Sequence, residues 1–169
     1  DTATGAITFG TGVDFTAAAD IKTGTGDDTV NLVVTVNTST SMAMGEKTSD
    51  SDTLNITGSN GLGVTVVDLS AADQITQLNG AADSSVQTGI ENINLSGLTG
   101  AQGSNITGSD DANIITGTKN ADVISGGKGA DLIYGGDGAD VVTGGAGADQ
   151  FRFDATDATT IVKDFTDGT

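Results

Sequence analysis

From Gly108 to Arg152 the chain is five consecutive nonapeptides: GSDDANIIT, GTKNADVIS, GGKGADLIY, GGDGADVVT and GGAGADQFR. Each begins with Gly and carries Ala at its fifth place. The sixth place holds Asn113, Asp122, Asp131, Asp140 and Asp149, and the eighth holds Ile115, Ile124, Ile133, Val142 and Phe151. A looser unit, TGAQGSNIT, precedes them from Thr99 to Thr107. A fixed period of this kind marks a stacked repeat architecture, in which each unit rests on its neighbours rather than on a distant core.

Each place in the unit has a readable task. A run rich in Gly, Asn and Asp is turn chemistry and is unsuited to the interior of a helix or strand. The residues after it, such as Leu132-Ile133-Tyr134, suffice for a short strand. Side chains alternate across a strand, so the uniformly apolar eighth place points inward while Tyr134 and Arg152 point out. One unit is then a turn plus a strand, or half a coil. Two nonapeptides make an eighteen-residue coil, and stacked coils build a parallel sheet on each of two faces.

Residues 1–107 alternate less regularly. Apolar alternation occurs at Val30-Leu32-Val34-Val36, Leu54-Ile56, Val64-Val66 and Ile93-Leu95, with Gly, Ser, Asn and Asp between. These segments predict strands of a β-solenoid or sandwich. Asp68–Gly80 reads as a short helix or a further coil, and Ser41–Ser51 as a polar loop. The segment TGTGDDTVN at Thr23–Asn31 repeats the later pattern, with Gly24, Gly26, Asp28 and Val30 at its second, fourth, sixth and eighth places. Asp28 is a candidate metal ligand on this pattern, against the reading of an ordinary Asp-rich turn, and it lacks a matching unit eighteen residues on. Asp50 and Asp52 read as a solvated loop. The fold expected is all-β, in two regions: an irregular β-rich region over 1–107 and the nonapeptide coils with a cap over 108–169.

The formal net charge is -17, with no His and no Cys. Such a chain repels nucleic acid and anionic membrane and attracts cations. No apolar run is long enough to span a bilayer. Zinc-thiolate, Ser-His-Asp and Cys-His chemistry are excluded within this sequence, so no enzyme activity is expected of it. The acid is nearly all Asp, which suits ligands held in turns.

Calcium takes six to eight oxygens in flexible geometry. Glycine-rich turns can aim several carbonyls into one space, because no Cβ obstructs them. One Asp per turn adds a carboxylate, and two turns one coil apart can enclose an ion that neither could hold alone. The three units Gly126–Arg152 follow the pattern G-G-x-G-x-D-x-U-x. On these residues the chain resembles the RTX family of calcium-binding repeats, over Gly108–Phe165.

The resemblance implies a right-handed parallel β-roll binding several Ca2+ ions. In the family, a loop gives carbonyls from its second and fourth places plus its Asp, and the loop eighteen residues later gives carbonyls from its first and third places plus its Asp. Carried over, Thr118, Asn120 and Asp122 join Gly135, Asp137 and Asp140. Gly127, Gly129 and Asp131 join Gly144, Ala146 and Asp149. Ser109, Asp111 and Asn113 join Gly126, Lys128 and Asp131, with Asn113 costing that site one negative charge. Asp164, in a cap with Phe151, Phe153, Ile161, Val162 and Phe165, closes a last site with Asp140, whose loop carries Gly136 and Gly138. The phrase Gly89-Ile90-Glu91-Asn92-Ile93-Asn94-Leu95 resembles strands of bacterial surface-layer proteins and adhesins that carry such repeats. That resemblance implies an extracellular or cell-surface structural protein, exported by a type I route. Its implied partners are calcium, other copies of itself and cell-surface polysaccharide. An adhesin region, or the tail of an exported enzyme, is the alternative.

Overall fold

The computed structural model describes residues 6–9, 21–22, 27–34, 42–43, 51–58, 65–71, 74–78, 81–82, 87–100, 102–154 and 159–164. Gly24, Gly26, Phe165 and most of Ser41–Ser51 lie outside the described residues.

The apolar alternation sets the strands. In chain order they are β1 (Ala6–Phe9), β2 (Ile21–Lys22), β3 (Thr29–Val34), β4 (Met42–Ala43), β5 (Thr53–Gly58), β6 (Thr65–Asp68), β7 (Ile75–Leu78), β8 (Ala81–Ala82) and β9 (Gln87–Thr88). They continue as β10 (Asn92–Leu98), β11 (Ser104–Thr107), β12 (Ile114–Thr116), β13 (Val123–Lys128), β14 (Leu132–Tyr134), β15 (Val141–Ala146), β16 (Gln150–Arg152) and β17 (Ile161–Val162). One sheet runs β1-β3-β5-β10-β12-β14-β16 and a second runs β17-β15-β13-β11-β6-β7-β8, while β2-β4-β9 form a small third. The described residues therefore form an all-β solenoid whose strands, β7 and β8 apart, stack in parallel, coil on coil.

Register follows the inward apolar residue of each strand. In the first sheet Val30, Leu54, Ile93, Ile115, Ile133 and Phe151 lie in cross-strand register. In the second, Val67, Ile106, Ile124, Val142 and Val162 do the same. The two columns meet in one core cluster, with Phe151 packed against its end. Every buried apolar column residue removes roughly 1.5–3 kcal/mol worth of surface from water. A one-residue slip would turn the whole column out.

The coils differ in length. In the repeats each rung lies 18 residues from the next, whereas the β3–β5 and β5–β10 rungs are 24 and 39 residues apart. In the coil between β5 and β10 an excursion follows β6, where Asp68 Oδ1 accepts the Ser70 amide at 3.0 Å and the chain doubles back. The strands β6, β7 and β8 are consequently antiparallel. The described residues of Asp68–Gly80 thus form a turn and a returning strand instead of a helix or a parallel coil. Buried Gln74 holds this excursion to the core through Leu69 O, Ile90 O and the Ile90 amide, at 2.8–2.9 Å. Its side-chain amide supplies the hydrogen bonds that a regular ladder would otherwise provide.

Candidate metal centre

The residue two places before each inward apolar side chain lies at the corner where loop meets strand. At one corner these residues are Asn113, Asp131 and Asp149; at the other they are Ser104, Asp122 and Asp140. Each carboxylate accepts the backbone N–H of the equivalent residue one coil earlier. Asp131 Oδ1 takes the Asn113 amide at 2.8 Å, and Asp149 Oδ1 takes the Asp131 amide at 3.1 Å. Asp122 Oδ1 takes the Ser104 amide at 2.5 Å, and Asp140 Oδ1 takes the Asp122 amide at 2.9 Å. These charge-assisted bonds fix one carboxylate oxygen and turn the other toward the loop.

The loops above are shaped by backbone that only glycine adopts readily. Gly127, Gly136 and Gly145 have φ of 103°, 96° and 98°, and a Cβ on Gly136 would collide with the Thr118 carbonyl below. Gly129 and Gly138 likewise lie against the carbonyl groups of Asp111 and Asn120. Close stacking of this kind places oxygen over oxygen. A Cβ on Gly126 would meet both Asp131 Oδ2 and Gly144 O. One on Gly117 would meet Gly135 O and Asp122 Oδ2, and one on Gly108 would meet Gly126 O and Asn113 Oδ1. At Gly108, Gly117 and Gly126 the place a Cβ would take is thus bounded by a carboxylate or amide oxygen from the same loop and a carbonyl oxygen from the loop 18 residues on, whereas at Gly135 and Gly144 it meets the carboxylates of Asp140 and Asp149.

The sequence profile of the RTX calcium-binding nonapeptide repeat (4 copies) matches residues 98–132, 107–141 and 116–151. This segment belongs to the RTX calcium-binding repeats. The match begins at the looser unit that contains Ser104 and ends within the last full one. A comparison with curated proteins gives no match.

The residues present fit the ion that RTX repeats bind. Asp131 is 1% exposed, and its Oδ2 is buried with no hydrogen-bond partner. An anionic oxygen left bare beside a carbonyl oxygen is a costly arrangement that a hard cation relieves. Among the described residues no three Asp, Glu, His or Cys side chains converge as a ligand group. An RTX site here therefore needs carbonyl oxygens to complete its shell.

The structure brings the carboxylates of Asp122 and Asp131 to the carbonyls of Gly135 and Gly144, and the side-chain amide oxygen of Asn113 to the carbonyl of Gly126. Thr118 does more than the sequence suggested. Its amide donates to Asp122 Oδ2 at 2.7 Å, and its hydroxyl lies 3.0 Å and 3.1 Å from the two carboxylate oxygens. Ser109 does the same for Asn113, through its amide at 2.7 Å and its hydroxyl at 3.2 Å. A small hydroxyl residue four places before the acid is the signal for this anchor, and Gly127 and Gly136 lack it. Asn120 Nδ2 donates to Gly100 O and Gln102 O, joining its loop to the coil below. The Lys128 amide donates to Ser109 O, while its ammonium pairs with Asp110 at 2.7 Å on the surface. Asp111 is exposed, Asp137 is half-buried, and Ala146 is exposed at the end of β15. Asp164 binds the Gly144 and Gly145 amides at 2.8 Å and 2.6 Å, closing the last coil; Asp140 Oδ2 lies 3.4 Å from the Thr160 hydroxyl.

Burial pushes the Asp122 carboxyl up from 3.8 to about 6; hydrogen bonds from Thr118 and Ser104 oppose the rise, and the Asp140 charge adds to it. Burial also raises Asp131, opposed by the Asn113 amide and reinforced by the Asp149 charge. Both acids sit where a cation would favour the ionised form.

Asp52 departs from the sequence expectation. It is 0% exposed, and its Oδ1 accepts the Asp28 amide at 2.8 Å. The solvated-loop reading fails because Asp52 directly precedes β5 and takes the same corner position as the repeat acids. Asp28 has a partner after all, 24 residues on instead of eighteen.

Proposed function

We propose that this chain is a non-catalytic, calcium-organised structural module of a secreted or cell-surface protein, of the surface-layer type. What the RTX repeats supply is a calcium-binding structural module. The observation that carries the calcium dependence is the buried, bare Asp131 Oδ2 facing the Gly144 carbonyl across the Gly126 space. Asp122, Asp131, Asp140 and Asp149, with carbonyl oxygens of Gly126, Gly135 and Gly144, would hold the ions. Bound calcium supplies positive charge that neutralises these acids and joins successive loops.

The assembly reading draws on the outer faces. Ile114 pairs with Leu132 on one sheet, and Val123, Val141 and Ile161 align on the other. Ile114, Val123, Leu132 and Ile161 are exposed. Aligned exposed apolar residues favour association with another surface. With few bases and many acids, apo chains repel one another; neutralised coils would not. A non-enzymatic role is supported by the absence of His and Cys. No helix among the described residues is long and apolar enough to cross a membrane. Adding calcium to the purified chain and following light scattering and electron microscopy tests the assembly reading. Ordered sheets that dissolve in chelator are expected; a monomer at saturating calcium would overturn it.

A further inference from the structure

The acidic corner does not stop where the RTX match begins. Following the same edge of the first sheet back from Asn113, the equivalent residues are Glu91, Asp52 and Asp28. Glu91 Oε2 accepts the Asp52 amide at 3.0 Å, as Asp52 Oδ1 accepts that of Asp28 at 2.8 Å. The rungs of the repeats are thus continued upstream by acids spaced 24 and 39 residues apart instead of eighteen. Asp28 is 4% exposed, and its Oδ2 is buried with no hydrogen-bond partner. That is the state of Asp131 in the repeats, next to a second fully buried carboxylate. Two neighbouring buried acids repel each other and have lost their water, so an ionised pair needs a compensating positive charge.

We propose that Asp28 and Asp52 hold a further divalent cation at the loop edge before β3 and β5, outside the repeats. Paired carboxylates select a hard, oxygen-preferring cation, and calcium accepts an irregular oxygen shell more readily than magnesium, which demands a compact octahedron. The choice of ion follows the calcium reading of the repeats; the site itself rests on Asp28 and Asp52. Its consequence is that the irregular coils share the ion dependence of the regular ones, so calcium would organise β3 and β5 as well as β12 to β16.

The test counts calcium bound to the full chain at saturation, by equilibrium dialysis with the metal alone. The unaltered chain is compared with the Asp28→Asn, Asp52→Asn double variant and with Asp131→Asn. The double variant should bind one ion fewer than the unaltered chain while the repeats keep theirs. An unchanged count overturns this proposal and leaves the repeat reading intact, whereas an unaltered chain that binds no calcium overturns both. Should the double variant fail to fold, crystals of the unaltered chain grown in calcium decide. An anomalous scattering peak between Asp28 and Asp52 is expected, and its absence beside occupied repeat sites overturns the proposal.

Discussion

The Asp131 amide donates to the Asp149 carboxylate at 3.1 Å, across one coil, while the Asp131 carboxylate accepts the Asn113 amide of the coil before. Asp131 is therefore a link in both directions and keeps one buried oxygen bare. Asp111, in contrast, is exposed and offers its carbonyl beneath Gly129. Asp131→Ala should weaken calcium binding by about tenfold or more, the scale set by losing a supported ligand. Asp111→Ala, which keeps its carbonyl, should change it little. Titration calorimetry of both variants checks this, and equal affinities and ion counts would refute the stacking register.

The inward column makes a second expectation. Ile133 is 1% exposed and stacks between Ile115 and Phe151. Ile133→Asp places a charge in a thin apolar core with no partner, so the coil should not form even at high calcium. Tyr134, one residue on, is half-buried on the outer face, where its hydroxyl donates to Asp154 and Arg152 lies 5.4 Å from its ring. Tyr134→Asp removes these surface contacts and should leave the fold intact. Circular dichroism in calcium ranks the pair, and the reverse ranking would place the inside on the wrong residues.

A third expectation concerns the loop backbone. Gly136 has φ of 96° and lies against the Thr118 carbonyl. Gly136→Ala combines left-handed strain, about 1–3 kcal/mol, with a clash against backbone that cannot move aside. Ala139→Gly, in the same loop at an exposed position, should cost under about 1 kcal/mol. Thermal melting in calcium should therefore separate the two by several degrees, and matching midpoints would count against the stacked-loop geometry.

These residues also show how far the sequence can be read. Position eight is legible because one apolar side chain per strand has to face a narrow core, and period two leaves no other arrangement. The turn acids are legible because only glycine lets a carbonyl and a carboxylate share so small a space. Asp52 is not legible, because its coil is 24 residues long, so a search at a period of eighteen passes over it. The reversal after Asp68 is hidden for a related reason: its stability comes from Gln74, whose partners at Leu69 and Ile90 are tertiary. The repeat pattern points to the Thr118 carbonyl, whereas the contacts of its hydroxyl depend on a loop conformation that composition does not reveal.

Acid should separate the calcium-free and calcium-bound states in opposite directions. The Asp122 carboxyl is raised to about 6 in the folded, metal-free chain, chiefly by burial, against 3.8 ordinarily. Its contribution to metal-free stability is fully present below the ordinary value and is lost as pH rises through about 6. Calcium needs the ionised form, so its affinity should fall as pH drops below about 6, with protons released on binding. The calcium concentration needed to fold the repeats should accordingly rise between pH 7 and pH 5. A constant requirement over that interval would mean that Asp122 does not hold the ion.

Calcium should also decide whether the repeat coils form at all. Each unit orders several glycines, whose backbone entropy cost is the largest of any residue, and buries little beyond one apolar column side chain. The same folding event brings Asp122 near Asp140 and Asp131 near Asp149, where the Asp140 charge raises the Asp122 carboxyl and the Asp149 charge raises that of Asp131. Without the ion, backbone entropy, lost hydration and repulsion all favour the unfolded chain. With it, binding energy is available to the stacked loops alone, worth about 2.7 kcal/mol per site at a concentration one hundred times the dissociation constant. Extracellular calcium modules work at about 10⁻⁴–10⁻³ M, so the transition should fall between cytosolic and external concentrations. Circular dichroism of the full chain, titrated first with calcium and then with chelator, should show β-structure gained and lost reversibly. Magnesium at the same concentration should restore far less of it, because it holds its water and demands regular octahedral geometry. A β-signal unchanged in excess chelator would show that the coils stand on their apolar columns alone.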